Sequence, residues 1–209
     1  MPKIMTKQTE VFTIDELLEL YPDAAERAHE DYLASGDYYA WGSDNEATLN
    51  AFAKLFPVEI ISWSYGDYSG NNGVSWHHLC MDGIEDLRGI RLYKYLWNNY
   101  GDTLFPFKTY YHRTSGKKRR SKCLRYPGDG WGDLTGYCRD GDILDPIYKF
   151  MRNPIAARDT TFEDILNDCV QSWAVACNQD VEESQSQEYF IDMARGNDWL
   201  FTKDGDFYS

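Results

Sequence analysis

VEIISWSYGDYSGNNGVSWHHLCM, residues 58–81, decides the fold class. Residues 58–65 and 73–81 each alternate apolar and polar side chains with the period of two that a strand requires. GDYSGNNG between them is turn chemistry, rich in Gly and Asn. The pair predicts an antiparallel hairpin. What precedes and follows it repeats with the helical period instead.

Upstream, Thr13-Ile-Asp-Glu16 is a capping box, and Pro22 suits the first turn of a second helix that runs to Ser35-Gly36. Ser43-Asp-Asn-Glu46 has the same capping spacing. The helix after it carries Leu49, Phe52, Ala53, Leu55 and Phe56 and stops at Pro57. Downstream, Asp82-Gly-Ile-Glu85 is read as the start of a helix to Asn98, closed by Gly101. Residues 104–113 and 118–126 flank Thr114-Ser-Gly116 and predict a second hairpin. PGDGWGDLTGYCRDGD, residues 127–142, is read as a loop, with helices over 143–152, 162–178 and 182–195. Asp204-Gly205 suits a two-residue turn in a closing hairpin. Together these predict a single α+β domain over 1–209, antiparallel hairpins covered by several helices. It has a helical part at 12–57, a hairpin-rich middle at 58–126, a helical part at 142–197 and a final hairpin at 199–208.

Charge is distributed unevenly over this plan. The chain carries net −13, yet residues 101–126 hold eight bases against one acid. Seven of those bases, Arg113, Lys117, Lys118, Arg119, Arg120, Lys122 and Arg125, fall at the tip and return strand of the second hairpin. Segregation of this kind points to a surface that meets a charged partner, or to a charged edge that resists aggregation. Phe105, Phe107, Tyr110, Tyr111 and Tyr126 interleave with the bases and suit either base stacking or a buried strand face. Acids cluster elsewhere, at Glu26, Glu30 and Asp31 and at Asp164 and Asp168, with spacings that put them on common helix faces. Such rows are a solvated face or a mimic of nucleic-acid phosphates.

The chemistry of catalysis is not evident. His77 and His78 are adjacent and point to opposite faces of a strand, and no HExxH, CxxC pair, GxSxG or P-loop occurs. Cys80 shares a strand face with His78, but a small buried hydrophobe is the simpler reading. Cys169 and Cys177 fall on an apolar helix stripe. No catalytic residue, metal or cofactor is expected. Five cysteines without a metal-type pair suit a reducing compartment, and no apolar run of about 18 residues is long enough for a membrane span. The opening MPKIMTKQTEVFT lacks the apolar stretch of a signal peptide, so a cytoplasmic location is expected.

FTIDELLELYPDAAERAHEDYLAS, DYYAWGSDNEATLNAF, VEIISWSYGDYSG and the ending YFIDMARGNDWLFTKDGDFY resemble small acidic phage and prophage proteins labelled as antitoxins of a stability system. The resemblance covers roughly the first 70 and last 30 residues and omits the basic hairpin. It implies a mobile-element origin, where small acidic proteins serve as inhibitors of host enzymes. The resulting expectation is a cytoplasmic inhibitor of a host nucleic-acid-processing protein or complex, of the anti-CRISPR or antirestriction type. Acidic faces would mimic phosphates while the hairpin meets protein, guide RNA or DNA. An antitoxin for a basic toxin and a module sequestering a nucleotide signal remain open beside it.

Overall fold

The computed structural model describes residues 9–36, 38–66, 72–79, 83–104, 109–120 and 134–208. In chain order the elements are β1 (Phe12–Thr13), α1 (Ile14–Leu20), α2 (Pro22–Ser35), α3 (Gly42–Leu55), β2 (Val58–Ser64), β3 (Gly73–His78) and α4 (Gly89–Leu104). They continue as β4 (Thr109–Tyr111), β5 (Lys118–Arg120), α5 (Arg139–Arg152), α6 (Phe162–Ser184), α7 (Gln187–Gly196), β6 (Leu200–Phe201) and β7 (Phe207–Tyr208). The class is α+β, and every strand pair among the described residues is antiparallel. The residues gather into two compact units, Met1–Ala40 with Asp180–Ser209, and Trp41–Gln179.

In the smaller unit the Thr13 hydroxyl accepts from the Glu16 amide at 3.3 Å, and the Glu16 carboxylate accepts from the Thr13 amide at 2.9 Å. This is the capping box expected at α1. Pro22 opens α2, and Gly36 closes it in the left-handed conformation. Ile14, Leu17, Ala24, Ala25, Ala28, Phe190, Ala194 and Phe201 are buried together. Arg195 of α7 grips Asp15 of α1 through two nitrogens, the shorter contact at 2.6 Å. β6 pairs with both β1 and β7 in a three-stranded sheet.

The closing turn is longer than the two-residue form. Leu200 faces Tyr208 and Phe201 faces Phe207, while the Thr202 amide donates to Asp206 O at 2.8 Å. Three residues, 203–205, therefore form the loop, with Gly205 at φ +96°. A Cβ at Gly205 would collide with the carbonyl oxygen of Ala24 in α2. The Arg27 guanidinium donates to Asp204 O at 3.1 Å on the same loop. The glycine thus serves both the left-handed turn and the close seat on α2.

The larger unit buries Leu49 and Phe52 from α3, and Phe56 just after it, against Leu92 and Leu96 of α4, Ile143 and Ile147 of α5, and Cys169 and Trp173 of α6. β2 and β3 form the expected hairpin, with a register shift between Ile60 and Ser62. Asn178 of α6 holds both ends of its connection, accepting from the Gly66 amide at 3.0 Å and the Asn72 side chain at 2.8 Å.

Several boundaries differ from the sequence reading. The Ser43–Glu46 capping box does not form, because α3 begins at Gly42, where Asp44 and Asn45 already donate to Trp41 O. Ser43 is inside the first turn. Residues 83–88 do not start a helix: Glu85 O accepts from the Glu163 amide at 3.4 Å, and Arg88 bridges to Thr161. α4 starts at Gly89 and runs through Gly101, since Leu96, Tyr100 and Leu104 continue one buried stripe across it. Burial there outweighs the roughly 1 kcal/mol by which glycine disfavours a helix. α6 extends to Ser184, and Ser186 caps α7 through the Tyr189 amide at 3.1 Å.

Gly205→Ala is expected to destabilise the protein by roughly 2 kcal/mol or more, from left-handed strain plus the blocked seat on α2. Urea unfolding checks this, with Gly196→Ala as the control, whose added Cβ meets nothing.

Candidate functional site

β4 and β5 place the basic residues. Thr109 faces Arg120, Tyr110 faces Arg119 and Tyr111 faces Lys118. Beyond the last pair the His112 amide donates to Lys117 O at 2.9 Å, and the Gly116 amide to His112 O at 2.8 Å. Gly116 sits at φ +60°, the left-handed position that lets Arg113–Gly116 close the ribbon. The Ser115 hydroxyl lies 3.2 Å from His112 Nδ1 and steadies the same tip.

Side chains of paired residues share a face and successive pairs alternate faces. One face of this ribbon therefore presents Tyr110 beside Arg119, and the other presents Tyr111 beside Lys118. Neither face is a core: Tyr110 is 48% exposed and Tyr111 73%. Of the two readings open for these aromatics, the buried strand face does not hold for Tyr110 and Tyr111. Phe105, Phe107, Lys122, Arg125 and Tyr126 lie outside the described residues, as does Cys80.

The described cations of the ribbon are exposed. Among the described residues, several bases elsewhere are paired, among them Arg139 with Asp142 at 2.7 Å, Lys149 with Asp145 at 2.7 Å, and Arg195 with Asp15 at 2.6 Å. Arg113, Lys117, Lys118 and Arg119 make no such pair among the described residues. Comparison adds no lineage to this geometry. No family model, no curated protein and no solved structure matches the chain.

The acidic candidates are divided between the two units. Glu26, Glu30 and Asp31 are exposed on α2 of the smaller unit. Asp164 and Asp168 belong to α6 in the larger. Asp164 is engaged in a helix cap. Its carboxylate accepts from the Thr161 amide at 2.9 Å, and its own amide donates to the Thr161 hydroxyl at 3.0 Å. Hydrogen bonding from Thr161, first its side chain and then its amide, holds the Asp164 carboxyl below the usual range. Asp168, one turn on, is pushed the other way, first by partial burial and then by the Asp164 charge. His77 and His78 do diverge, to Glu59 at 2.8 Å and Glu163 at 3.7 Å respectively.

One carboxylate carries a role that residue spacing alone did not single out. Asp140, read as part of a loop, lies in the first turn of α5 and is fully buried. One oxygen accepts from the Leu134, Thr135 and Gly136 amides at 3.0, 2.6 and 2.9 Å. The other accepts from the hydroxyls of Thr135 at 2.7 Å and Thr48 at 3.1 Å. Five donors saturate it, so it locks structure rather than facing a ligand.

Asp140→Ala is expected to cost at least about 3 kcal/mol, since each orphaned buried donor costs about 1–3 kcal/mol; chemical unfolding measures it. The two α6 carboxylates give opposite pH signatures. A raised carboxyl burdens the fold when charged, a cost absent below the ordinary 3.8 and complete above the raised value. Asp168→Asn is thus expected to raise stability at neutral pH and lose that advantage on acidification. A depressed carboxyl contributes stability above 3.8 that fades as pH falls through its folded value. Asp164→Asn is expected to lower stability at neutral pH. Thermal unfolding across the acid range separates the two.

Proposed function

We propose that the chain is a binding protein, not an enzyme, and that it inhibits a host nucleic-acid-processing complex by gripping its RNA or DNA with the β4–β5 ribbon. The observation that carries this reading is the pairing, on each face of the ribbon, of an exposed tyrosine with a cation that has no ion pair among the described residues. Stacking on an aromatic contributes about 1–3 kcal/mol per base and asks nothing of the sequence. Neighbouring cations take the adjoining phosphates. An acidic protein surface would be served by the cations alone and would leave the cost of exposing two tyrosines unexplained.

The rest of the chain confines the contact to this arm. Residues outside 101–126 carry 13 bases against 33 acids, so they repel a polyanion. Screening over about 10 Å at 0.1 M salt keeps that repulsion local. The resemblance to small acidic phage proteins supplies the setting, in which a nuclease or RNA-guided defence complex is the natural target. Acidic faces such as Glu26, Glu30 and Asp31 then compete for the channel that normally holds phosphates, raising the association rate above all.

Fluorescence anisotropy with single-stranded RNA and DNA oligonucleotides tests the arm. Four phosphate contacts give a log–log salt slope of about −3, a roughly fifty-fold weakening between about 50 and 200 mM salt. Replacing Lys117, Lys118 and Arg119 by Ser is expected to weaken binding at least tenfold and flatten that slope. Tyr110→Ala with Tyr111→Ala is expected to weaken binding while leaving the slope intact. Salt-independent binding, or full nuclease inhibition by the triple variant, would reject the reading.

A further inference from the structure

A second site lies between α5 and α6 of the larger unit. Pro146, Lys149 and Phe150 share one face of α5, and Ile165 and Asp168 share one face of α6. The connection bearing Ala157 joins them, leaving an open cleft of about 480 Å³. That volume is within the range of small-molecule sites, about 300–1,000 Å³. Phe150 and Ile165 are core residues, 3% and 2% exposed, so the apolar floor is fixed before any ligand arrives. The Asn153 carbonyl and side-chain oxygens accept from the Ala157 and Ala156 amides, which sets the connecting turn.

The rim is charged and unbalanced. The Lys149 ammonium is taken by Asp145 at 2.7 Å. Asp168 has no ion-pair partner among the described residues, and α6 supplies a second acid beside it, Asp164. Lys149 and Asp168 are the charged residues that line the cleft, and Asp145 outside the lining cancels Lys149, which leaves the Asp168 charge uncompensated above an apolar floor. We propose that this cleft binds a small molecule with an apolar body and one ammonium group. The stem covers Pro146, Phe150 and Ile165, and the ammonium meets Asp168. Such a ligand removes the penalty that partial burial and Asp164 impose on the Asp168 charge, so site and ligand relieve each other's cost. A neutral analogue gains only the apolar contact, and a carboxylate adds repulsion.

Titration of hexylammonium, hexan-1-ol and hexanoate into methyl-labelled protein tests this by NMR. Hexylammonium is expected to shift the Ala157 and Ile165 methyls, to bind at least tenfold tighter than hexan-1-ol, and to lose at least tenfold in affinity in Asp168→Asn; hexanoate leaves the methyls unmoved. Asp168 is exposed and its charge is a burden on the fold, so this variant retains the structure. Ala157→Leu, which fills the cleft and keeps every charge, is expected to abolish binding and guards against a folding defect in the first variant. Equal affinity for hexan-1-ol and hexylammonium overturns the proposal. So do unchanged binding in either variant and shifts spread over the acidic helices without the Ala157 and Ile165 methyls.

Discussion

A carboxylate can be fully buried only where every lone pair is taken, and Asp140 meets that condition with three amides and two hydroxyls. Its position decides much of the larger unit. By drawing residues 134–136 down onto the start of α5 it fixes where the chain re-enters the core. By accepting from Thr48 it joins α5 to α3, whose next residue, Leu49, and then Phe52 and Phe56 reach the same core as Ile143 and Ile147. Around that frame α6 contributes Trp173, whose indole donates to Asn45 O at 3.1 Å on the other side of Thr48. Polar bonds here select one register of α3 against α5 and α6. The apolar contacts alone would tolerate several.

With the frame set, the surface charges separate into two kinds. Several described bases outside β4–β5 sit against an acid within the same unit, some at helical spacing such as Lys149 with Asp145, others across elements such as Arg195 with Asp15. Exposed pairs of this sort contribute little to stability, typically about 0–1 kcal/mol. Their effect is to cancel charge locally. Arg113, Lys117, Lys118 and Arg119 have no such cancellation among the described residues, and the register puts Lys118 and Arg119 each beside an outward tyrosine. A solubility device would need the charges but not the aromatics.

How much of this was legible in the sequence follows from what each signal depends on. Thr13–Glu16, Pro22 and Gly36 act through bonds and dihedrals within a few residues, and each took the place its local chemistry implies. The hairpins were legible for the same reason. Ser43–Glu46 failed because the motif says nothing about whether the preceding turn is already helical, and Trp41 O begins that helix. Gly101 was overruled by burial of Tyr100 and Leu104, a tertiary effect no local pattern carries. Asp140 was hidden twice over. Its amide donors sit four to six residues back in a Gly-rich stretch, and Thr48 lies 92 positions away. The cleft between α5 and α6 is likewise made by packing and the turn through Asn153, with nothing in the spacing of Asp168 to announce it.

Asp164 and Asp168 bring these threads together. They are alike in sequence, four residues apart on one helix, and alike as candidates for a phosphate-like row. Their surroundings separate them. Thr161 supplies Asp164 with an amide donor at the helix start, so its charge is stabilised and spent on ending the chain's turn into α6. Asp168 has the apolar wall of the cleft on one side and the Asp164 charge on the other, so its charge is costly and available. Spacing therefore nominates carboxylates without ranking them. What ranks them is whether a donor within the fold has already claimed the charge, and by that test Asp168, rather than Asp164, is the one of this pair left to meet a cation from outside.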